Sequence, residues 1–222
     1  MEINISRAIC DLVPGLSVGV IEYKGIQVGA SPQMLKGRLQ MFQESLYFDL
    51  LEKNVTDLEG IKEWRGVFKS TGKDPNRYRH SAEALYRRIA KQNYLQSIHS
   101  AIDLNNFFSL QYQLPIGIYD SDKLSGNIQL KIASDTEQYA GLNGRINNLE
   151  NLIVSADEIG PYGSPFVDSE RAAVTEATKN ALQIVYHRPS ETLENKERMT
   201  ESLMNMFTQI HGGSGIYTIV GC

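Results

Sequence analysis

The sequence predicts an α+β fold, with helices gathered in the first half of the chain and strands in the second. Three observations lead there. Between about residues 31 and 112, apolar side chains return every three or four positions. From 113 to 188 they form short runs cut by Gly, Asn and Asp, and from 189 to 222 one more amphipathic stretch precedes a last apolar run. Period 3.6 followed by short strand-length runs is the pattern of helices packed to one side of a sheet. A length of 222 residues suits one domain spanning 1–222.

Residues 16–23 (LSVGVIEY) alternate as a strand does, and Lys24-Gly25 turns the chain. Ser31-Pro32 has the composition of a helix start, Ser as cap and Pro in the first turn. Leu35, Leu39, Phe42, Leu46 and Leu50 then make one apolar stripe. Thr56 is the expected cap of a second helix carrying Ile61, Trp64 and Phe68, stopped at Thr71-Gly72. After the basic loop 73–80, Ser81 is the expected cap of a third helix with Leu85 and Ile89 inward. A fourth is expected from about Ser97 to Gln111, with Asn105 and Asn106 sitting mid-helix where neither is favoured. Such a misfit points to a buried hydrogen-bonding duty, assigned here to Asn106. Strands are expected at 127–133, 151–155 and 181–187, a Gly/Pro loop at 158–165, a helix from Pro189-Ser190 to about Ile210, and a strand at 216–220.

With 41% hydrophobic and 22% charged residues, the chain has enough apolar material for a packed core. No run approaches the eighteen or so apolar residues of a membrane span, and the first twenty residues lack the layout of a signal peptide. Only Cys10 and Cys222 are present, far apart in sequence, which reads as two free thiols in a cytoplasmic protein. The net charge of −4 argues against a generic nucleic-acid binder, DNA included. Residues 62–91, however, hold nine bases and three acids, a local +6 that leaves −10 for the rest. Such a window is either a solvated helix pair or a face for phosphates.

Standard catalytic signatures are missing: the sequence has no G-x-S-x-G, no Walker loop, no H-E-x-x-H and no C-x-x-C. His80, His99, His187 and His211 are scattered, so neither a metal nor a cofactor is expected. Gly212, Gly213 and Gly215 read as a helix stop. The loop Gly160-Pro161-Tyr162-Gly163-Ser164-Pro165 is either a tight turn or a nest of N–H groups for an anion, and Asp168-Ser169-Glu170-Arg171 bunches polar groups just beyond it.

Residues 100–120, SAIDLNNFFSLQYQLPIGIYD, resemble without a gap the B3/B4 editing module of phenylalanyl-tRNA synthetase β subunits, whose pattern is roughly N-V-V-D-x-T-N-Y-x-x-L-E-x-G-Q-P-L-H-A-F-D. Asp103, Asn106, Leu110, Pro115 and Asp120 are identical to it; Ile102, Phe107, Ile116 and Tyr119 are conservative. The likeness continues through Asp122 to Ile128, Ala133 and Leu142-Asn143-Gly144. Upstream, Ser81 to Arg88, Trp64-Arg65, Phe68 and Gly72-Lys73 are similar to stand-alone B3/B4 proteins, so the resemblance covers about residues 60–187.

This resemblance implies an unusual β-sandwich flanked by helices, enclosing a pocket for an aminoacyl adenosine. In the synthetase the module hydrolyses tyrosine wrongly joined to the phenylalanine tRNA. Carried onto this chain, the pocket falls near Gly117 to Asp120, the 160–165 loop and residues 168–175. Asp120, Gly163 and Ser164 become the candidate catalytic groups, with a turn-capping role as the alternative for Asp120. Gly117, Tyr119, Asp168, Ser169 and Glu170 become candidate substrate contacts. Lys69, Lys73, Arg77, Arg79, Arg87 and Arg88 are candidate RNA contacts, inferred from the basic window rather than from the family; Arg87 and Arg88 alternatively pair with Glu83. The pattern's His is replaced by Gly117, which removes a polar group and enlarges or reshapes the cavity. The expected function is hydrolysis of mischarged aminoacyl-tRNA in trans. Binding tRNA or a free amino acid without catalysis is the alternative, and a small-molecule ester hydrolase is a third.

Overall fold

A computed structural model describes residues 2–222. In chain order the elements are β1 (Ile3–Ile5), α1 (Arg7–Leu12), β2 (Ser17–Lys24), α2 (Gln33–Asp49), α3 (Glu59–Ser70), α4 (Ser81–Ile89), α5 (Ser100–Tyr112), β3 (Ile116–Asp120), β4 (Ile128–Ile132), β5 (Gln138–Ala140), β6 (Ile146–Asn148), β7 (Ile153–Ala156), β8 (Pro161–Gly163), β9 (Asn180–Tyr186), α6 (Leu193–His211) and β10 (Ser214–Gly221). The expected α+β class holds. One four-stranded sheet has the order β1-β4-β7-β8 and a second β10-β2-β9-β3, with β5 and β6 as a separate hairpin. Every pairing is antiparallel except that of β1 with β4.

Both sheets bury apolar residues in one core. Val18, Val20, Leu182 and Ile184 come from one sheet; Ile128, Leu130, Ile153 and Val154 come from the other. At roughly 25 cal/mol per Å² of apolar surface removed from water, this shared interior is the main force joining them. A smaller cluster, with Leu39, Ile61, Tyr86, Ile89 and Leu110, joins the helices α2 to α5. Phe42, Leu46 and Leu50 of the predicted α2 stripe pack against that second cluster.

The helix starts differ from expectation, and for two of the expected caps, Ser31 and Ser97, the hydroxyl has another partner. Ser31 Oγ donates to Asp103 Oδ2 at 2.5 Å, and Ser97 Oγ donates to the same oxygen. Ile98 N–H adds 2.9 Å to Asp103 Oδ1, so this buried carboxylate organises the approach to α5. Helix α2 begins after Pro32, and a 3₁₀ turn at Val55–Asp57 takes Thr56 before α3 begins at Glu59. His80 and His99 cap α4 and α5 instead, accepting from Glu83 N–H and Ile102 N–H at 3.4 Å each. Burial lowers the His80 pKa to about 4, which keeps the ring neutral and able to accept.

The mid-helix amide duty belongs to Asn105, not Asn106. Asn105 Nδ2 donates to Ile116 O at 2.9 Å, and its Oδ1 accepts from Gln183 Nε2 at 2.9 Å, tying α5 to β3 and β9. The cysteines also correct the sequence reading. Cys10 and Cys222 form a disulfide that joins α1 to the end of β10 across 212 residues of sequence. Among the described residues no helix is long and apolar enough to cross a membrane.

Candidate functional site

Strand β3 delivers Tyr119 into the interior and β8 delivers Tyr162; both are fully buried. Their rings meet edge to face with centroids 4.8 Å apart. Tyr186 of β9 and Tyr139 of β5 complete a group of four buried phenols. Tyr119 Oη donates to Asp168 Oδ1 at 2.8 Å, and Ser164 N–H donates to the same oxygen at 3.2 Å. Tyr186 Oη lies 3.0 Å from Ser155 Oγ, while Tyr162 Oη is buried with no hydrogen-bond partner.

Asp168 is half-buried as a residue, but its carboxyl group is enclosed by this cluster. Burial pushes its pKa up to about 7, against the opposing pull of the Tyr119 and Ser164 hydrogen bonds. Burial likewise raises Tyr119, Tyr139, Tyr162 and Tyr186, and the charge of Asp168 adds to each shift. The phenols therefore stay neutral donors, while the carboxyl group exchanges its proton near neutrality.

Between Gly117 and Gly163 the space is filled by the chain itself. A Cβ at residue 117 would lie 2.0 Å from Tyr119 Oη, and one at 163 would lie 2.2 Å from it. Both glycines are thus the clearance for a phenol. At Gly117 the Tyr119 ring, not an open hollow, takes up the room that a side chain would need.

The remaining candidates divide. Asp120 is buried, with Oδ2 accepting from Thr178 Oγ1 at 2.7 Å and Oδ1 from Asp122 N–H at 3.2 Å; Lys123 stands 3.6 Å away. This is the turn-capping arrangement. Ser169 Oγ accepts from Arg171 N–H at 3.0 Å, and Glu170 is exposed. Ser164 folds its own loop: Oγ accepts from Val167 N–H at 3.2 Å and Phe166 N–H at 3.3 Å, and Tyr139 Oη donates to it at 3.0 Å. Gly117, Tyr119, Gly163, Ser164 and Asp168 come together, whereas Asp120 and Glu170 serve neighbouring surface turns.

The basic window divides as well. Arg77, Arg79, Arg87, Arg88 and Lys91 line a cavity of about 590 Å³, together with Ala84, Asn93, Asn143, Phe166 and Val167. None of these ten residues is acidic. Arg87 Nε is held by the buried Glu83 at 2.8 Å, and Arg65 holds the same carboxylate at 3.0 Å. Lys69 is exposed on α3 outside the cavity. Lys73 is buried, with Nζ donating to Glu150 O at 2.5 Å and lying 4.1 Å from the Tyr78 ring centroid. The Ser81 N–H donates to Pro165 O at 2.7 Å, which fastens basic α4 to the loop carrying Phe166, Val167 and Asp168. Sequence reasoning passed over Phe166, Tyr139 and Tyr186; only Lys91 had signalled itself, as one of the nine bases. Among the described residues no three His, Cys, Asp or Glu side chains converge to hold a metal ion.

Against known proteins, the model of the B3/4 domain matches residues 63–205, well over half the chain. The chain belongs to the B3/4 domain family. An uncharacterized protein of Bacillus subtilis, YhzB, is 35% identical over 214 residues, covering 96% of this chain and 97% of that protein. The phenylalanine–tRNA ligase β subunit of Paramagnetospirillum magneticum is 36% identical over 101 residues, 44% of this chain but 13% of the subunit. That of Fusobacterium nucleatum is 25% identical over 163 residues, 72% of this chain and 19% of the subunit. This B3/4 chain thus spans less than a fifth of those ligase subunits. A solved N-terminal fragment of the phenylalanyl-tRNA synthetase β subunit of Pyrococcus horikoshii aligns with TM-score 0.49 and 16% identity over 98% of this chain and 53% of that one.

Proposed function

We propose that this B3/4 chain binds the aminoacylated 3′ end of tRNA. One observation carries the reading: the five-cation cavity and the Asp168–tyrosine cluster share a single wall, the loop from Ser164 to Asp168. Phosphates held at Arg77, Arg79, Arg88 and Lys91 would bring the chain's terminus to the loop that holds Asp168. Kinship with a stretch of phenylalanine–tRNA ligase β subunits supplies the class of ligand. The test is a binding titration of the whole protein with aminoacylated tRNA at several salt concentrations. Affinity that falls steeply with salt is expected. Absent or salt-independent binding refutes the proposal.

A second reading, hydrolysis of the ester, is favoured by Asp168 alone. A carboxylate titrating at about 7 is suited to take a proton from water. Water would add to the ester carbonyl, its proton passing to Asp168, and the ribose oxygen would leave with a proton to give free amino acid and tRNA. The Tyr119 phenol must first vacate the space between Gly117 and Gly163. Incubating a panel of charged and mischarged tRNAs with stoichiometric protein decides between the readings. Ester loss above buffer that Asp168→Asn abolishes supports catalysis; bound tRNA that keeps its amino acid supports binding alone.

A further inference from the structure

We infer that the basic cavity takes one unpaired nucleotide of a single-stranded RNA end, with its base against Phe166 and its flanking phosphates on the surrounding cations; this rests on the tRNA-binding reading and narrows it to a ligand shape. Three features of the cavity lead there. It is mixed in chemistry: Arg77, Arg79, Arg88 and Lys91 are exposed bases, Phe166, Val167 and Ala84 are apolar, and Asn93 offers an amide, while that of Asn143 is paired with Asn147. A site for inorganic phosphate alone has no use for the apolar wall. At about 590 Å³ the cavity is also far larger than a phosphate group and has room for a nucleotide. Finally, its aromatic side chain and its cations lie side by side, so a base and its flanking phosphates can be engaged together, which a paired duplex, with its bases stacked inside, cannot offer. Unpaired strands can splay a base onto an aromatic ring, which is how single-stranded RNA is usually held.

Phe166 is braced for that duty. Its ring meets Tyr78 edge-on at 5.7 Å, and Tyr78 in turn carries the Lys73 ammonium over its face. The Ser164 hydroxyl binds the Phe166 and Val167 N–H groups, and Pro165 O is tied to the start of α4. The Phe166 loop and the start of α4 are therefore tied together before any ligand arrives, which lowers the ordering cost of placing the ring.

The experiment compares three fluorescently labelled RNAs by anisotropy on the whole protein: a 12-nucleotide single strand, a blunt 12-base-pair duplex, and that duplex with a four-nucleotide 3′ overhang. The single strand and the overhang are expected to bind at least about tenfold tighter than the blunt duplex. Phe166→Ala should weaken the single strand by roughly 5- to 150-fold, the range of one lost base stack. Phe166→Leu, which keeps apolar packing on Tyr78, should weaken it comparably if stacking is the cause. Four free cations on phosphates predict a slope of log affinity against log salt near −3 for single strands. Arg88→Gln should reduce that slope by about 0.7, and Lys69→Gln should leave it unchanged. Equal binding of blunt duplex and single strand, or full affinity in Phe166→Leu, overturns the inference while leaving RNA binding intact. No binding of any RNA, aminoacylated tRNA included, removes both.

Discussion

Replacing Asp168 by Asn tests the central electrostatic claim, because the amide keeps the shape and still accepts from Tyr119 Oη and Ser164 N–H but cannot ionise. A carboxyl group whose pKa is about 7 in the folded chain and near 3.8 in the unfolded chain binds its proton more tightly when folded. Its contribution to stability is therefore fully present below pH 3.8 and is lost as pH climbs to about 7. The loss proceeds at roughly 1.4 kcal/mol per pH unit and totals on the order of 4 kcal/mol. The buried His80 and His187 act in the opposite sense, since burial lowers them to about 4 and about 3, and their stability fades as pH falls below 6.5. The wild-type curve alone mixes these trends, so the informative quantity is the difference between variant and wild type. Urea unfolding followed by circular dichroism at pH 5 and pH 7 should show Asp168→Asn gaining about 2.3 kcal/mol on the wild type between the two. A difference that stays constant within about 0.5 kcal/mol means that Asp168 ionises in the fold as it does in water, and the enclosed-carboxyl argument is wrong.

Other consequences follow from packing and covalent structure. Gly117→Ala should destabilise the chain by about 1–3 kcal/mol, because its new methyl meets Tyr119 Oη; Tyr119→Phe removes that oxygen and should recover part of the loss in a double-mutant cycle read by urea midpoints. Reducing the Cys10–Cys222 bond, which closes 212 residues, should lower stability by up to about 5 kcal/mol, and a Cys222→Ser variant should match the reduced wild type in thermal melts. Glu83→Gln should cost about 3–5 kcal/mol in chemical unfolding, since Arg65 and Arg87 both lose a fully buried carboxylate.

What the sequence made legible was what local chemistry decides. The α2 stripe, the β2 alternation and the Gly stop after α6 were readable because each is written within a dozen residues. The caps were not: Ser31 and Ser97 bond to Asp103, Ser81 lies inside α4, and the imidazoles of His80 and His99 accept at the starts of α4 and α5. The strand β1 and helix α1 are too short to show a period. Between Asn105 and Asn106 the propensity misfit is equal; the Ile116 carbonyl and Gln183, 78 residues away, select the first. The basic window was visible as composition, yet nothing local told Lys73, which is buried against Glu150 O, from Arg88, which faces the cavity. The disulfide was invisible for the same reason, its halves lying at opposite ends of the sequence.

The exchange at the heart of the site illustrates how a family pattern is read through geometry. Where the synthetase pattern runs His then, two residues on, Phe, this chain runs Gly117 and Tyr119. Read one position at a time, the first change deletes a polar group and the second adds a hydroxyl. Side chains two apart on a strand lie on the same face, so the two changes act on one volume. The Tyr119 hydroxyl stands within 2.0 Å of where a Cβ on residue 117 would be, and it reaches Asp168 at 2.8 Å. The hydroxyl beside Gly117 is thus coupled to a carboxyl group whose pKa burial raises to about 7. The wall between that group and the cations is only the loop 164–168, so any ligand that moves Phe166 or Val167 also acts on the hydrogen bonds that hold Asp168.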